Sequence, residues 1–307
     1  MDKNSKIFIA GHNGLIGSAI VRRLQRADCV GLNWVERNVD LTLTDQVNKY
    51  FDECRPEYVF LAAAKSGTTK LYETCPADIL YNNLAIQTNV IHAAYKYGVK
   101  KLMFFGASSI YPSSSLPITE ELLSSGNLDS VSHSYAFAKI NGIQMCKAYR
   151  KQYGCDFISV ILPNIYGKAD KFYSPIANII PSLLYKFATA VRYKATSITC
   201  MGNPDVRREM VYVDDVADAC VFLMNSYSDS EIINVGANKD CSPKEIMDLL
   251  ALFSNYTGTI EWDTTKSDEI PDKILDSTKL FNLGWKPTWD LYRGLCETMK
   301  TYTLNSI

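Results

Sequence analysis

The heptapeptide GHNGLIG sets Gly11, Gly14 and Gly17 between a short apolar run, KIFIAG (6–11), and a helical pattern beginning near Ser18. Glycines at this spacing between a strand and a helix predict a tight turn that a ligand approaches closely. Side chains would keep a pyrophosphate away from the backbone, while the helix N-terminus offers amide donors and a favourable dipole. The spacing is GxxGxxG, not the simpler GxGxxG fingerprint, so the heptapeptide alone also fits an ordinary strand-to-helix turn.

The pattern beyond the turn favours the nucleotide reading. Short β-branched and aromatic runs alternate with longer helical patterns: CVGLNWV (29–35), a helix at 44–54, YVFLAA (58–63), a helix at 78–97, KLMFFGA (101–107) and a helix at 134–153. Strands separated this way need crossover helices, which predicts an α/β fold built on a Rossmann-type doubly wound parallel sheet. After CDFISVILPNIYG (155–167) the alternation loosens. Residues 1–167 are therefore read as the nucleotide-binding domain and 168–307 mainly as a smaller α/β substrate lobe, with segments around 207–236 rejoining the sheet.

Composition excludes several partners. With 32 basic and 33 acidic residues in 307, the net charge of −1 exerts no long-range pull on nucleic acid or an anionic membrane. No window holds 18 uninterrupted apolar residues, so no membrane span is expected. Nine cysteines are scattered without a CxxC, and MDKNSKIFIAG lacks the apolar stretch of a signal peptide, which points to the cytoplasm. Three histidines, at 12, 92 and 133, have no HxxxH or cysteine partner, so no metal site is expected.

Two further features carry chemistry. YAFAK places Tyr135 and Lys139 four residues apart, on one helical face. A free phenol has a pKa of about 10 and exchanges a proton usefully near neutrality when a cation stabilises its phenolate. About twenty residues beyond the glycine turn, Glu36 and Arg37 occupy the positions that read the cofactor ribose. Arg37 offers a charge-assisted contact to a 2′-phosphate, so the cofactor is read as NADPH; a solvated charge pair is the alternative.

These stretches, with LAAAK, NVIHAAYKYGVKKLMFFGASSIYP, PNIYG, VDDVADA, INVG and KILDSTKLFNLGW, make the chain similar to the extended short-chain dehydrogenases/reductases, and most similar to the GDP-L-fucose synthases, over essentially its whole length. In that family NADPH reduces the 4-keto group of a GDP-4-keto-6-deoxy sugar after the same site epimerises C3 and C5. The resemblance implies that Tyr135 protonates the C4 alkoxide and that Lys139 binds the nicotinamide ribose and lowers the tyrosine pKa. It assigns the cofactor to Gly11, Asn13, Gly14, Leu15, Ile16 and Gly17, to Arg37, Asp40 and Leu41, to Ala62, Ala63 and Lys65, and to Pro163, Asn164 and Ile165. Lys186 and Arg208 are implied as diphosphate contacts, Met201 as a guanine contact, and Asp276 as an acid toward the substrate, with Ser109, Asn164 and Asn178 beside the sugar. A homodimer formed through the helices at 78–97 and 134–153 is implied in the same way.

The chain departs from the family where epimerisation is done. Against the family pattern GSSCIYP, GASSIYP puts Ala107 at the usual catalytic serine and Ser109 at the epimerising cysteine, and Asn178 takes the place of the histidine acid. Ser108 is the candidate to replace the missing hydroxyl, against a role in satisfying backbone groups at the strand end. Carbon deprotonation next to a ketone needs a thiolate or imidazole matched to the working pH, which serine and asparagine do not supply. Hydride transfer needs an oriented nicotinamide, a proton donor and hydrogen bonds to the oxyanion. The expected activity is reduction at C4 of a GDP-linked hexose or heptose without epimerisation. A bifunctional GDP-L-fucose synthase using Ser109 with another acid such as His133, and a non-catalytic NADPH sensor, are the alternatives.

Overall fold

The computed structural model describes residues 1–33, 39–112, 117–123, 125–128, 131–170, 179–265 and 273–304. Glu36, Arg37 and Asn178 lie outside the described residues.

The first half alternates strands and helices: β1 (Ile7–Ala10), α1 (Leu15–Gln25), β2 (Leu32–Asn33), α2 (Thr44–Cys54), β3 (Tyr58–Leu61), α3 (Thr69–Thr74), α4 (Pro76–Lys96), β4 (Lys101–Ala107), α5 (His133–Tyr153) and β5 (Asp156–Leu162). There follow β6 (Asn164–Tyr166), α6 (Ile179–Arg192), β7 (Ser197–Met201), β8 (Arg208–Tyr212), α7 (Val213–Ser226), β9 (Ile233–Asn234), β10 (Asp240–Cys241), α8 (Pro243–Ser254), β11 (Thr259–Asp263), α9 (Thr278–Asn282) and α10 (Leu291–Leu304). Among the boundaries that differ from the sequence reading, three have a cause in the local chain. Helix α1 starts at Leu15, not near Ser18, because the turn feeds straight into it. Pro76, fixed at a helical φ, opens α4 two residues earlier than the apolar pattern indicates. The run 155–167 splits at Pro163, which has no N–H for a ladder, into β5 and β6 in separate sheets.

Among the described residues six strands form a parallel sheet in the order β2-β1-β3-β4-β5-β9. A parallel sheet covered by helices on both faces must bury every strand residue, and β1 does so. The period of two sends Ile7 and Ile9 into the core shared with α1 and α7, and Phe8 and Ala10 into the core shared with α2, α4 and α5. The chain runs to β2 on one side of β1 and to β3 on the other, so a crevice opens beyond the carboxyl ends of β1 and β3, where ligands bind in such sheets.

A third core lies among α6, α8 and α10 with the small sheets β10-β8-β6 and β11-β7. Its polar seam to the main sheet is fixed by three buried side chains. One carboxylate oxygen of Glu209, on β8, accepts from the N–H groups of Ala237 and Asn238 at 2.7 and 3.1 Å, and the other from Leu275 at 2.9 Å. A Cβ at Gly236 would come within 2.4 Å of that carboxylate, which explains the glycine. Asn234 donates to the Ile118 and Asp276 carbonyls, and Ser277 Oγ accepts from Gly236. Three amide donors favour the ionised form of Glu209, while burial pushes its carboxyl up to about 7.

Candidate active site

The glycine turn is shaped by three different needs. Gly11 has φ +87°, and a Cβ there would meet the Ala63 nitrogen at 2.7 Å. A Cβ on Gly17 would sit 2.2 Å from the Gly11 carbonyl oxygen, so that glycine permits the helix to pack on the turn. Gly14 differs: its φ and ψ of −79° and 172° suit any residue, and an added Cβ would meet only the Gly11 oxygen at 3.3 Å. Its absent side chain therefore leaves open space beside the exposed tip of the turn, which Asn13 shares. Gly14 is also the N-cap of α1, with no side chain capping the first turn and no acid in it. Those free amides and the helix dipole fit an anionic group such as a dinucleotide pyrophosphate.

Other residues that the sequence reading gave to the cofactor lie on the segments that follow β2 and β3. Ala62 and Ala63 leave the end of β3 against Gly11. The buried Asn83 clamps Lys65 from both sides, accepting from its N–H at 3.0 Å and donating to its carbonyl at 2.9 Å, while Lys65 Nζ pairs with Asp78 at 3.1 Å. Asp40 accepts from the N–H and hydroxyl of Thr42, which hold its carboxyl below the usual range. The Leu41 carbonyl accepts from Asn89.

Helix α5 is drawn onto β4 by small residues. A Cβ on Gly142 would lie 2.2 Å from the Phe104 ring, and one on Gly106 would lie 2.5 Å from Ile161. This approach lets the buried Lys139 donate to the Phe105 carbonyl at 2.8 Å, with its ammonium 5.6 Å from the Tyr135 ring centroid. Burial pushes the Lys139 ammonium down to about 8. It also raises the Tyr135 phenol above its ordinary value, with Tyr72 adding in the same direction. The sequence reading had the cation lowering that phenol; in the protein alone, desolvation prevails and keeps Tyr135 a protonated donor.

The segment after β4 forms a single 3₁₀ turn, Ser108–Ile110. Ser108 is half-buried, and Ser109 Oγ is buried without a hydrogen-bond partner among the described residues. Tyr111 OH donates to Asn234 at 2.7 Å, and Lys273 Nζ donates to the carbonyls of Tyr111 and Ser108 at 3.0 and 3.4 Å. The turn is thus pinned from two distant segments.

The remaining sequence-derived residues fall in two groups. Asn164, exposed after Pro163 and beside Ile165 on β6, donates to the Glu209 carbonyl at 3.3 Å and lies one strand from the buried Arg208 at the start of β8. Lys186 on α6 donates to the Thr199 carbonyl at 3.1 Å, on the strand that ends at Met201, which is 53% exposed. Asp276 accepts from the Thr278 N–H at 2.8 Å, a local turn contact. His133 is exposed and stacks on Phe137, not on the phenol. Among the described residues no cluster of three His, Cys, Asp or Glu is placed for a metal ion, and no helix is long and apolar enough to cross a membrane.

Sequence reasoning missed Asn234, Lys273 and Tyr72. Nothing in their local spacing distinguishes them; each matters through a contact with a residue far away in the chain.

A parallel doubly wound sheet, a glycine turn at its switch point and a Tyr-Lys pair on the helix packed against β4 define a nicotinamide-dependent enzyme of the short-chain dehydrogenase/reductase class. Comparison with known proteins agrees: residues 7–236 match the NAD dependent epimerase/dehydratase family, and the chain belongs to that family. It is 43% identical over 306 residues to GDP-L-fucose synthase 1 of Arabidopsis thaliana, covering 99% of this chain and 95% of that one. It is 38% identical over 312 residues to the GDP-L-fucose synthase of Escherichia coli K12, covering 98% and 97%. Among solved structures, a GDP-6-OMe-4-keto-L-xylo-heptose reductase from C. jejuni superposes with a TM-score of 0.93 at 32% identity over 99% of both chains. A GDP-mannoheptose C4 reductase from Campylobacter jejuni with NADP bound gives 0.89 at 34% identity, again over 99% of both.

Proposed function

We propose that this chain reduces the C4 keto group of a GDP-linked 4-keto sugar, 6-deoxy or not, a hexose or a heptose, with NADPH and without epimerising C3 or C5. The observation that carries the reading is the combination at the end of β4. Tyr135 and Lys139 stand together beside it, while the neighbouring turn offers Ser108 and Ser109 and neither thiol nor imidazole. The solved C4 reductases and the GDP-L-fucose synthase relatives support a GDP-sugar substrate, and the C4 reductase structure with NADP bound supports the cofactor.

Bound at the glycine turn, NADPH supplies a hydride to C4. The chain's own residues do the rest. Tyr135 OH gives its proton to O4 as negative charge develops there, and the phenolate left behind is stabilised by the Lys139 ammonium until solvent returns the proton. Ser108 and the unpartnered Ser109 hydroxyl orient O4. Arg208 and Lys186 take the diphosphate, Met201 lies against guanine, and Asn164 and Asp276 border the sugar. A hydroxyl at position 109 is protonated throughout the neutral range and cannot remove a carbon-bound proton.

Incubation with a GDP-4-keto-6-deoxy sugar in deuterium oxide, first without NADPH and then with it, tests the reading. Deuterium-free C3 and C5 together with NADPH oxidation are expected. Deuterium at C3 or C5 would establish the bifunctional alternative, and no NADPH oxidation with any GDP-4-keto sugar would favour the sensor. We also propose that the exposed rings of Tyr81, Tyr95, Phe137 and Tyr153, on α4 and α5, meet a second copy of the chain to form a homodimer.

A further inference from the structure

The short helix α3 carries a residue with no place in the reaction so far. The Tyr72 ring stacks on the Tyr135 ring, with centroids 5.3 Å apart and planes 27° from parallel. Tyr72 is not a loose surface ring. Its hydroxyl accepts from the Gly67 N–H at 3.4 Å, and its own N–H donates to the Thr68 carbonyl at 3.2 Å. Helix α3 runs into α4 through Cys75, whose N–H bonds to Leu71 and whose carbonyl receives Ile79, both at 3.0 Å. Upstream, Asn83 of α4 clamps the Lys65 backbone. The ring is therefore mounted on the long α4 helix at both ends of the loop that carries it.

We propose that Tyr72 is a positioning residue for Tyr135, its stacked ring fixing the direction of the phenol and excluding water from it. A tyrosine's terminal torsion is broad and weakly preferred, so neighbours must supply the orientation that proton transfer needs. Lys139 holds one approach to the Tyr135 ring, and Tyr72 covers it from another element. Among the described residues these two are the ionisable groups set against the phenol, Tyr72 from α3 and Lys139 from α5. Removing the Tyr72 ring opens the phenol to water, which favours its ionised form. The inference rests on the proposed reduction only in making Tyr135 the proton donor.

The test compares the full-length chain with Tyr72→Phe, which keeps the stack, and Tyr72→Leu, which fills space without a ring; circular dichroism establishes that each folds. In protein labelled with ζ-¹³C tyrosine, the Tyr135 signal is assigned by its loss in Tyr135→Phe. It is expected to stay protonated to the alkaline limit of folding in the wild type and in Tyr72→Phe, and to titrate below that limit in Tyr72→Leu. With a GDP-4-keto sugar, Tyr72→Leu is expected to lower kcat about two- to tenfold at unchanged KM for NADPH, and Tyr72→Phe to restore it. Wild-type titration and kcat in Tyr72→Leu would overturn the proposal. Failure of the wild type to oxidise NADPH would overturn the reduction reading instead, and the titration would still decide the role of Tyr72.

Discussion

Replacing Lys139 with methionine separates what this side chain does for chemistry from what it costs the fold. Lys139 is 4% exposed, and burial moves the pKa of its ammonium from 10.5 to about 8. At about 1.4 kcal/mol per pH unit, that difference corresponds to about 3 kcal/mol of destabilisation whenever both the folded and unfolded forms carry the charge. The Phe105 carbonyl, which accepts from Nζ at 2.8 Å, loses that bond in the variant, at a cost of about 1–3 kcal/mol. The balance at pH 7 is a variant as stable as the wild type or more stable by up to about 2 kcal/mol.

The sign with pH comes from proton counting. Between about pH 8 and 10.5 the unfolded chain binds a proton at Lys139 that the folded chain does not. Wild-type stability therefore gains a contribution as pH rises through that window, and the variant lacks it. Urea denaturation at pH 7 and pH 10 measures both quantities, the wild-type-minus-variant difference cancelling the other titrating groups. NADPH oxidation is expected to fall about 10²–10⁴-fold in the variant, and in the wild type to decline above about pH 8 as the ammonium is lost. A variant less stable than the wild type by more than about 2 kcal/mol at pH 7, or an unchanged pH slope, would refute the argument that Lys139 is a buried charge kept for catalysis.

The geometry leads to two other expected outcomes. Gly14→Ala is expected to fold with a Tm within about 2 °C of wild type, since its backbone is ordinary and the added Cβ meets only one atom at 3.3 Å, yet to weaken NADPH binding at least about tenfold by fluorescence titration. Light scattering is expected to give twice the chain mass, and Tyr95→Glu with Tyr153→Glu, charges placed on two rings stacked at 4.1 Å on the exposed face, to shift it toward the monomer. An unchanged mass in the double variant would remove the dimer proposal.

The alternation of β-branched runs with helical patterns, and glycines in the first turn, were sufficient to read the parallel sheet and a turn that a ligand approaches closely, because strand burial and turn geometry are local demands on composition. Tyr135 and Lys139 were legible for the same reason: a four-residue spacing on a helix fixes a shared face before any packing occurs. The direction of the Tyr135 pKa was not legible, since it depends on how much water the surrounding elements exclude. Nor did apolar periodicity mark the early start of α1 or the break at Pro163, because it defines faces more sharply than ends.

By itself, then, the sequence determined the sheet, the glycine turn and the shared helical face of Tyr135 and Lys139, along with a hydroxyl in place of a thiol at Ser109. Only the tertiary structure decided that Asn234 and Lys273 pin the Ser108–Tyr111 turn and that Tyr72 covers Tyr135. Those contacts join residues 63 to 165 positions apart, and no local pattern encodes which distant side chain a folded chain brings to a given atom.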